Sequence, residues 1–157
     1  MLFLARSLRE LQFSQLMEVY IEGNLEKAED GLSLLEAEQA FYQYLKEDFF
    51  TVSGAVYYVW MEQGRYVSAL RLEPYKDGLL LEGLETAPDQ RRKGYAGALI
   101  RGMLAVEKVR PIYSHVHKNN TASLKVHEGC GFRRVAECAA YIDGSVNDRA
   151  CTMKLEG

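Results

Sequence analysis

Residues 79–100 read LLLEGLETAPDQRRKGYAGALI, an apolar run that leads through a short basic turn into a helical pattern. The run predicts a strand over Leu79–Thr86, and the small and apolar residues of Ala96–Val109 predict a helix. Between them, Arg91–Ala96 combines basic side chains with Gly94. The first N–H groups of a helix lack intrahelical partners and carry the positive end of the helix dipole, so they bind anions. We therefore predict a phosphate-binding turn here.

Patterns typical of β-hairpins precede this unit. Ala55–Met61 and Arg65–Leu72 are rich in β-branched and aromatic residues, and Gln63-Gly64 separates them as a turn. A second turn, Tyr75–Gly78, ends in the Asp-Gly pair that is typical of tight hairpins. These strands and the one that follows are therefore predicted to form a largely antiparallel sheet.

The N-terminal third predicts two helices. Residues 7–22 have apolar spacing close to one helical face, and Gly23-Asn24 is expected to end that helix. A charged loop is then expected before Ser33. Because Glu36 lies three residues after Ser33, the pair fits a capping box that opens a second helix, Leu34 to about Phe49.

The pattern returns to β after the helix that Pro111 stops. The remaining predicted elements are a strand at Ile112–His117, a short helix at Thr121–Gly129, and an antiparallel pair, Val135–Ile142 with Ala150–Leu155. The order α-α-β-β-β-α-β-α-β-β predicts one mixed α/β (α+β) domain over residues 1–157. Its central sheet is expected to be mostly antiparallel and flanked by helices, with one parallel β-α-β crossover of the usual right hand.

Composition excludes several classes of protein. The chain has 157 residues and a net charge of −3, which argues against a nucleic-acid binder. Its apolar runs are too short for a signal peptide or a membrane span. The three cysteines, Cys130, Cys138 and Cys151, show no CxxC spacing, and we expect reduced thiols in a cytoplasmic protein.

Two separate motifs and the order of elements resemble the GNAT superfamily of acyl-CoA-dependent N-acyltransferases. The first motif is Arg91–Ala96, which matches the family's phosphate loop, Gln/Arg-x-x-Gly-x-Gly/Ala. The second is Asn120–Phe132, where an asparagine precedes a short helix with an aromatic residue near its end and then Gly-Phe. The order of elements covers nearly the whole chain, and finding both motifs in this order makes the resemblance specific.

The resemblance implies acetyl-CoA as cosubstrate and no metal. Backbone N–H groups of Arg92–Ala96 would hold the diphosphate, and Leu84–Ala87 would pair with the pantetheine arm like an added strand. The thioester would lie where this strand separates from Ile112–His117, and the Asn120 side-chain amide would contact the arm. The predicted cofactor-binding residues are Leu84, Glu85, Thr86, Ala87, Arg91, Arg92, Lys93, Gly94, Tyr95, Ala96, Asn120 and Ser123.

The resemblance also implies direct transfer of the acetyl group to a primary amine, whose proton a base must take. The family often places that base where Glu82 and Glu85 lie. Being three apart on a strand, they are expected on opposite faces, and Glu82, nearer the acceptor, is preferred. His127 stands where the family often has an acidic tyrosine and is predicted as the general acid, with Tyr141 and Tyr113 as alternatives.

The histidines do not predict a metal site. His115 and His117 share one face of a strand and could approach His127, but no carboxylate or thiolate has convincing ligand spacing.

The acceptor is predicted to be an amine of a small molecule or a peptide. Glu22, Glu26, Glu29 and Asp30 could attract a cationic amine or simply form a solvated surface. A homodimer through residues 135–155 is also expected from the resemblance.

Two other functions stay open at this point. One is a non-catalytic acyl-CoA sensor or partner-binding module on the same fold, which the departure at His127 keeps open. The other is a nucleotide binder, although the loop lacks both Gly-Lys-Ser/Thr and Gly-x-Gly-x-x-Gly.

Overall fold

A seven-stranded sheet organises the chain in the computed structural model, which describes residues 1–157. The strands are β1 (Leu2–Ala5), β2 (Val56–Glu62), β3 (Arg65–Tyr75), β4 (Gly78–Thr86), β5 (Ile112–His117), β6 (Arg133–Ala136), β7 (Ala139–Ala140), β8 (Val146–Asn147) and β9 (Ala150–Leu155). The large sheet has the order β1-β2-β3-β4-β5-β9-β6, and β7 pairs with β8 separately. Only β4 and β5 pair in parallel. The predicted mixed fold with one parallel crossover is therefore confirmed.

Five α-helices flank the sheet: α1 (Phe13–Val19), α2 (Ile21–Glu29), α3 (Leu34–Glu47), α4 (Tyr95–Val106) and α5 (Thr121–Gly129). Single 3₁₀ turns lie at Leu8–Glu10, Phe49–Thr51 and Pro88–Gln90. Ser33 is confirmed as the N-cap of α3, because its hydroxyl accepts a hydrogen bond from the Glu36 N–H at 3.1 Å. The Glu36 carboxylate bonds to the Ser33 hydroxyl instead of the Ser33 N–H, so the box is only half formed.

Each face of the sheet carries its own core. On one face, α4 buries Leu99, Ile100 and Met103 against Leu70 and Leu81. On the other face, α1 and α3 pack on a core whose members include Leu16, Leu45, Tyr57, Tyr66 and Ala69. Residues that alternate along β3 therefore belong to opposite cores, as the period of a strand requires.

The N-terminal elements differ from the prediction. Strand β1, which pairs with β2 at the sheet edge, was not predicted because four residues are too few for a clear alternation. The first predicted helix breaks at Tyr20, and the expected loop is helix α2. Gly23 and Asn24 do not end that helix. Asn24 is buried in it, 2% exposed, where its side chain donates to the Met17 sulfur.

The C-terminal strands also differ from the prediction. β6 begins at Arg133 and ends at Ala136, and the chain then turns at Asp143-Gly144 between β7 and β8. β9 inserts between β5 and β6, so it pairs with both. The predicted antiparallel pair is therefore shorter than expected, and a small hairpin interrupts it.

Two irregularities of β4 position the site. β4 pairs with β5 only over Leu79–Leu81 and Ile112–Ser114, so the strands separate beyond these pairs. On its other edge, the register with β3 shifts by one residue around Gly83, whose φ is +60°. Such a shift is a β-bulge, which turns the side chains beyond it to the opposite face.

Gly78, the first residue of β4, should not tolerate a side chain. A Cβ there would lie 1.9 Å from the Pro111 carbonyl oxygen, which is backbone and cannot move aside. We expect Gly78→Ala to lower the free energy of unfolding by about 1–3 kcal/mol or more. The matched control is Gly23→Ala on α2, where nothing lies within 4 Å. It should raise stability by about 0.5–1 kcal/mol. Urea unfolding of both variants checks this pair, and equal effects would contradict it.

Candidate active site

A cleft of about 500 Å³ lies between β4, the start of α4 and helix α5. Its lining includes every predicted cofactor-binding residue except Ala87 and Lys93. The lining residues that the sequence did not single out are Gln90, Gly97, Ala122 and Val126, and the lining also includes Glu22, which the sequence analysis considered only for the acceptor. Ala87 is fully buried behind the cleft and donates its N–H to the Val67 carbonyl at 2.9 Å. The fold therefore brings two distant stretches, 84–97 and 120–126, to one cleft.

The turn before α4 presents unpaired backbone donors to this cleft. Gly94 is the N-cap of α4, with a left-handed φ of +81°, and no side chain caps the helix. Arg92 also has a positive φ, +64°. The first hydrogen bond of the helix runs from the Ala98 N–H to the Gly94 carbonyl, so the N–H groups of Tyr95, Ala96 and Gly97 donate to no protein group. Such an array of donors suits an anion.

Arg91 does not point its guanidinium into the phosphate turn. Its Nε donates to the Thr86 carbonyl at 3.2 Å, and its terminal nitrogens donate to Glu22 at 2.8 Å and Glu85 at 3.1 Å. The side chain therefore ties the turn to β4 and α2. Arg92 makes no ion pair within the chain, so its charge is free to face the cleft.

Asn120 combines a structural and a free polar group. Its Oδ1 accepts a hydrogen bond from the Ser123 N–H at 3.1 Å and so caps α5. Its Nδ2 donates to no protein atom and can therefore donate to a ligand in the cleft, which Asn120 and Ser123 both line.

Glu82 and Glu85 lie on the same face of the sheet, so the expectation of opposite faces is wrong. Glu82 pairs with Arg71 and Glu85 with Ala69, and these partners are two residues apart on β3. The bulge at Gly83 adds one extra residue to β4, so the side chains of Glu82 and Glu85 lie on the same face. The sequence feature that indicates this arrangement is Gly83, since an isolated glycine within a strand pattern suggests a bulge.

The two carboxyl groups have different surroundings. Burial raises the pKa of Glu85, while Arg91 opposes that effect. Burial and a hydrogen bond with Glu73 raise the pKa of Glu82 to about 8, although Arg71 opposes this. A pKa of about 8 lies close to neutral pH, so Glu82 can act as a general base in its ionised form, whose population rises as the pH approaches 8.

His127 is an interior side chain, 1% exposed, on the helix α5 that borders the cleft. Its Nδ1 lies 2.7 Å from the Ser123 carbonyl oxygen, which only accepts, so Nδ1 carries the proton. Its Nε2 therefore accepts from the Ser114 hydroxyl at 2.8 Å. Burial lowers the pKa of His127, and the neutral ring packs edge-to-face on Phe132. His127 reaches the cleft only through Ser123.

Tyr141 and Tyr113 lie outside the cleft lining. Tyr141 is 37% exposed after β7, and its ring meets the edge of His115 with centroids 5.1 Å apart. The Tyr113 hydroxyl donates to Asp77 at 2.7 Å. The structure does not bring either phenol together with His127.

Two general features of the chain complete the description. No group of three or more His, Cys, Asp or Glu side chains is arranged to hold a metal ion. None of the helices has both the length and the apolar character needed to cross a membrane.

The chain is similar to a known protein family in sequence and to solved structures in fold. A family profile described as Acetyltransferase (GNAT) family matches residues 15–132. No curated protein matches the sequence. Three solved structures cover almost all of the chain at low sequence identity, and such likenesses establish the fold.

The first is the PaiA N-acetyltransferase from Thermoplasma acidophilum in complex with coenzyme A, with 14% identity, a TM-score of 0.66 and coverage of 100% of this chain and 99% of that one. The second is the ribosomal-protein-S18-alanine N-acetyltransferase from Escherichia coli, with 18% identity, a TM-score of 0.63 and coverage of 99% and 94%. The third is the IAA acetyltransferase from Bacillus cereus ATCC 14579, with 14% identity, a TM-score of 0.66 and coverage of 100% of both chains.

The buried His127 should make stability depend on pH. Because its pKa is lowered in the folded chain, the unfolded chain binds more protons below the ordinary histidine pKa of about 6.5. The free energy of unfolding should therefore fall as the pH drops below that value and stay constant above it. His127→Gln should remove this part of the dependence. Urea unfolding at pH 5.5 and 7.5 measures it, and an unchanged difference between the two pH values in His127→Gln would contradict the assignment.

Proposed function

This chain belongs to the GNAT family of acetyltransferases, and we propose that it transfers an acetyl group from acetyl-CoA directly to a primary amine of a small molecule or a peptide. The observation that carries this proposal is the continuity of the cleft. Unpaired N–H groups at the start of α4 lie at one end of β4, and the cleft follows the free edge of β4 from them as far as Leu84. Glu82 lies outside the cleft lining, two residues further along the same edge.

The residues present fit acetyl-CoA at three points. The N–H groups of Tyr95, Ala96 and Gly97, together with the Arg92 charge, suit the diphosphate. The edge of β4 from Glu82 to Thr86 has no strand partner towards β5, so an extended amide-containing arm can pair with it. The Asn120 Nδ2 can donate to that arm.

The transfer would follow from the position of Glu82. An amine attacks a thioester carbonyl only in its neutral form, so Glu82 takes the proton from the incoming ammonium. The amine nitrogen bonds to the carbonyl carbon and the C–S bond breaks. The thiolate of coenzyme A leaves and takes up the second proton that the nitrogen loses. Backbone N–H groups at the β4 edge would stabilise the negative charge on the carbonyl oxygen.

We propose a supporting role for His127. Because both of its nitrogens bond to Ser114 and Ser123, the imidazole orients Ser123 at the cleft wall. The Ser123 hydroxyl lies 3.3 Å from the protonated His127 Nδ1, so its own proton is free to be donated into the cleft that Ser123 lines. The role of Tyr141 as an alternative general acid stays a prediction.

The second candidate function is an acyl-CoA sensor without turnover. The burial of His127 favours it, because that side chain cannot reach the cleft as an acid. Binding of acetyl-CoA without acetylation across a broad panel of amines would support the sensor. Competition of ATP and NAD against coenzyme A separates both functions from a nucleotide binder.

Gly94→Trp should abolish binding of acetyl-CoA, because the indole would occupy the turn that presents the donors. Gly144→Trp is the matched control, since both glycines have a positive φ and nothing within 4 Å of their Cβ positions. Calorimetric titration should give micromolar or tighter binding to the native chain and to Gly144→Trp. Absence of binding to the native chain would overturn the cofactor assignment.

Glu82→Gln should separate binding from chemistry. Loss of a general base typically lowers the rate about 10²–10⁴-fold, whereas the amide leaves the phosphate turn untouched. We expect acetylation of a responsive amine to fall by that factor, with the affinity for acetyl-CoA within about twofold of the native value. Release of the coenzyme A thiol provides the rate. Full activity in Glu82→Gln would remove Glu82 from the mechanism.

A further inference from the structure

Three charged side chains form a buried group on the face of the sheet that packs against α1 and α3. Arg71 lies opposite Glu82 across the β3–β4 ladder, and Glu73 follows two residues later on the same face of β3. The side chains of Arg71 and Glu82 are 14% and 21% exposed, and Glu73 is 7% exposed. Two carboxyl groups thus share a single cation in a poorly solvated place.

Arg71 is a fixed member of this group. Its guanidinium carbon lies 5.3–5.9 Å from the ring centroids of Phe41, Tyr44, Phe49 and Tyr57. It also passes Gly83, where a Cβ would lie 2.5 Å from its Nη1. Aromatic faces hold a guanidinium by cation–π attraction, and arginine does not lose its proton in proteins. Arg71 is therefore a permanent positive charge.

One cation cannot neutralise both carboxylates. Arg71 Nε and Glu82 Oε2 face each other at 3.9 Å, and neither atom has a hydrogen-bond partner. Glu73 and Glu82 are diagonal neighbours on the same face of the β3–β4 ladder, where long side chains can meet. A hydrogen bond between two carboxyl groups requires a proton on one of them. Two carboxyl groups this close do not both ionise readily, and this adds to the effect of burial in raising the pKa of Glu82.

We propose that Glu73 and Glu82 act as one proton acceptor in acetyl transfer, with Arg71 as its fixed counter-charge. This proposal rests on the proposed function. Glu82 is the member that meets the amine, and Glu73 is a positioning residue that acts through it. Without the shared proton the group carries one negative charge in excess, which would attract an amine that arrives as an ammonium.

The proton balance follows directly. An N–H bond of the ammonium breaks and an O–H bond forms on Glu82, where Glu73 shares the proton. The freed lone pair attacks the thioester carbon and the C–S bond breaks. The second proton that the nitrogen loses passes to the departing sulfur, so coenzyme A is released as the thiol. The proton then passes to solvent beside the exposed Gly83, which returns the pair to its ionised form.

The other titratable groups around the pair add no charge near neutral pH. Burial raises the pKa of Tyr20, Tyr44 and Tyr57, so these phenols stay protonated. On β5, burial and Lys76 lower the pKa of His115, which is therefore neutral. Arg71 and the carboxyl pair alone thus determine the charge of this group.

The pH dependence of kcat/KM tests the pair. In the native enzyme the rate should rise with pH through about 8, as the pair ionises. This rise is the ascending limb of the pH profile. Glu73→Gln removes one negative charge, so the limb should move to lower pH by about one unit. Glu47→Gln, an exposed glutamate at the end of α3, should leave the limb in place. A lower rate in Glu73→Gln at every pH with an unmoved limb would mean a structural role only and would overturn the proposal.

Removal of the Arg71 charge should shift the pH profile in the opposite direction. Arg71→Met should move the limb to higher pH, and Arg71→Lys, which keeps the charge, should restore most of the native profile. An unchanged limb in a folded Arg71→Met would overturn the role of the counter-charge. If Arg71→Met does not fold, the Glu73→Gln profile decides.

Carboxyl titration by ¹³C NMR tests the same pair without an acceptor. Glutamate-labelled protein should show one carboxyl that titrates near 8, is absent in Glu82→Gln and shifts down in Glu73→Gln. A Glu82 that titrates near the ordinary value of about 4.3 would overturn the pair even if acetylation occurs. The expected titration without acetylation of any amine would instead contradict the proposed function alone.

Discussion

β4 and β5 are held together by parallel pairing over Leu79–Leu81 and Ile112–Ser114 alone, and the cleft depends on the end of that pairing. A longer ladder would close the gap and occupy the edge of β4 with its neighbour. Helices α4 and α5 both follow strands of this pair, so their N-terminal ends meet where the strands have separated. The same divergence therefore creates the opening, frees a strand edge and brings Gly94 and Asn120 to its rim.

The bulge at Gly83 determines the face of the sheet on which Glu82 and Glu85 lie. Without the extra residue, Glu82 and Glu85 would face opposite sides of the sheet, and one would lie in the core beneath α4. With it, both carboxyl groups face α1 and α3. Glu85 is then bound by Arg91, whereas Glu82 meets Arg71 and Glu73 in a more buried place. One glycine with a left-handed φ thus gives Glu82 and Glu85 different partners on the same face of the sheet.

The sequence predicts what local pattern controls. The basic turn at Arg91–Ala96, the cap at Asn120 and the parallel crossover all follow from residues close together in the chain, and these features place most of the cleft. Cross-strand relations carry no such local signal. The pairing of Arg71 with Glu82, the proximity of Glu73 and the burial of His127 depend on register and helix packing, which residue type alone does not reveal.

A histidine at position 127 in place of an acidic tyrosine should affect catalysis less than the loss of the general base would. An ordinary lysine-like ammonium has a pKa near 10.4 and a thiol near 8.5, so an amine must be helped to lose its proton more than a thiolate must be helped to leave. The chain places the carboxyl group of Glu73 and the fixed cation of Arg71 beside Glu82, while His127 is a neutral ring bonded to Ser114. On this reasoning, the pH limb set by the pair should dominate the rate, and His127→Gln should lower stability more than turnover.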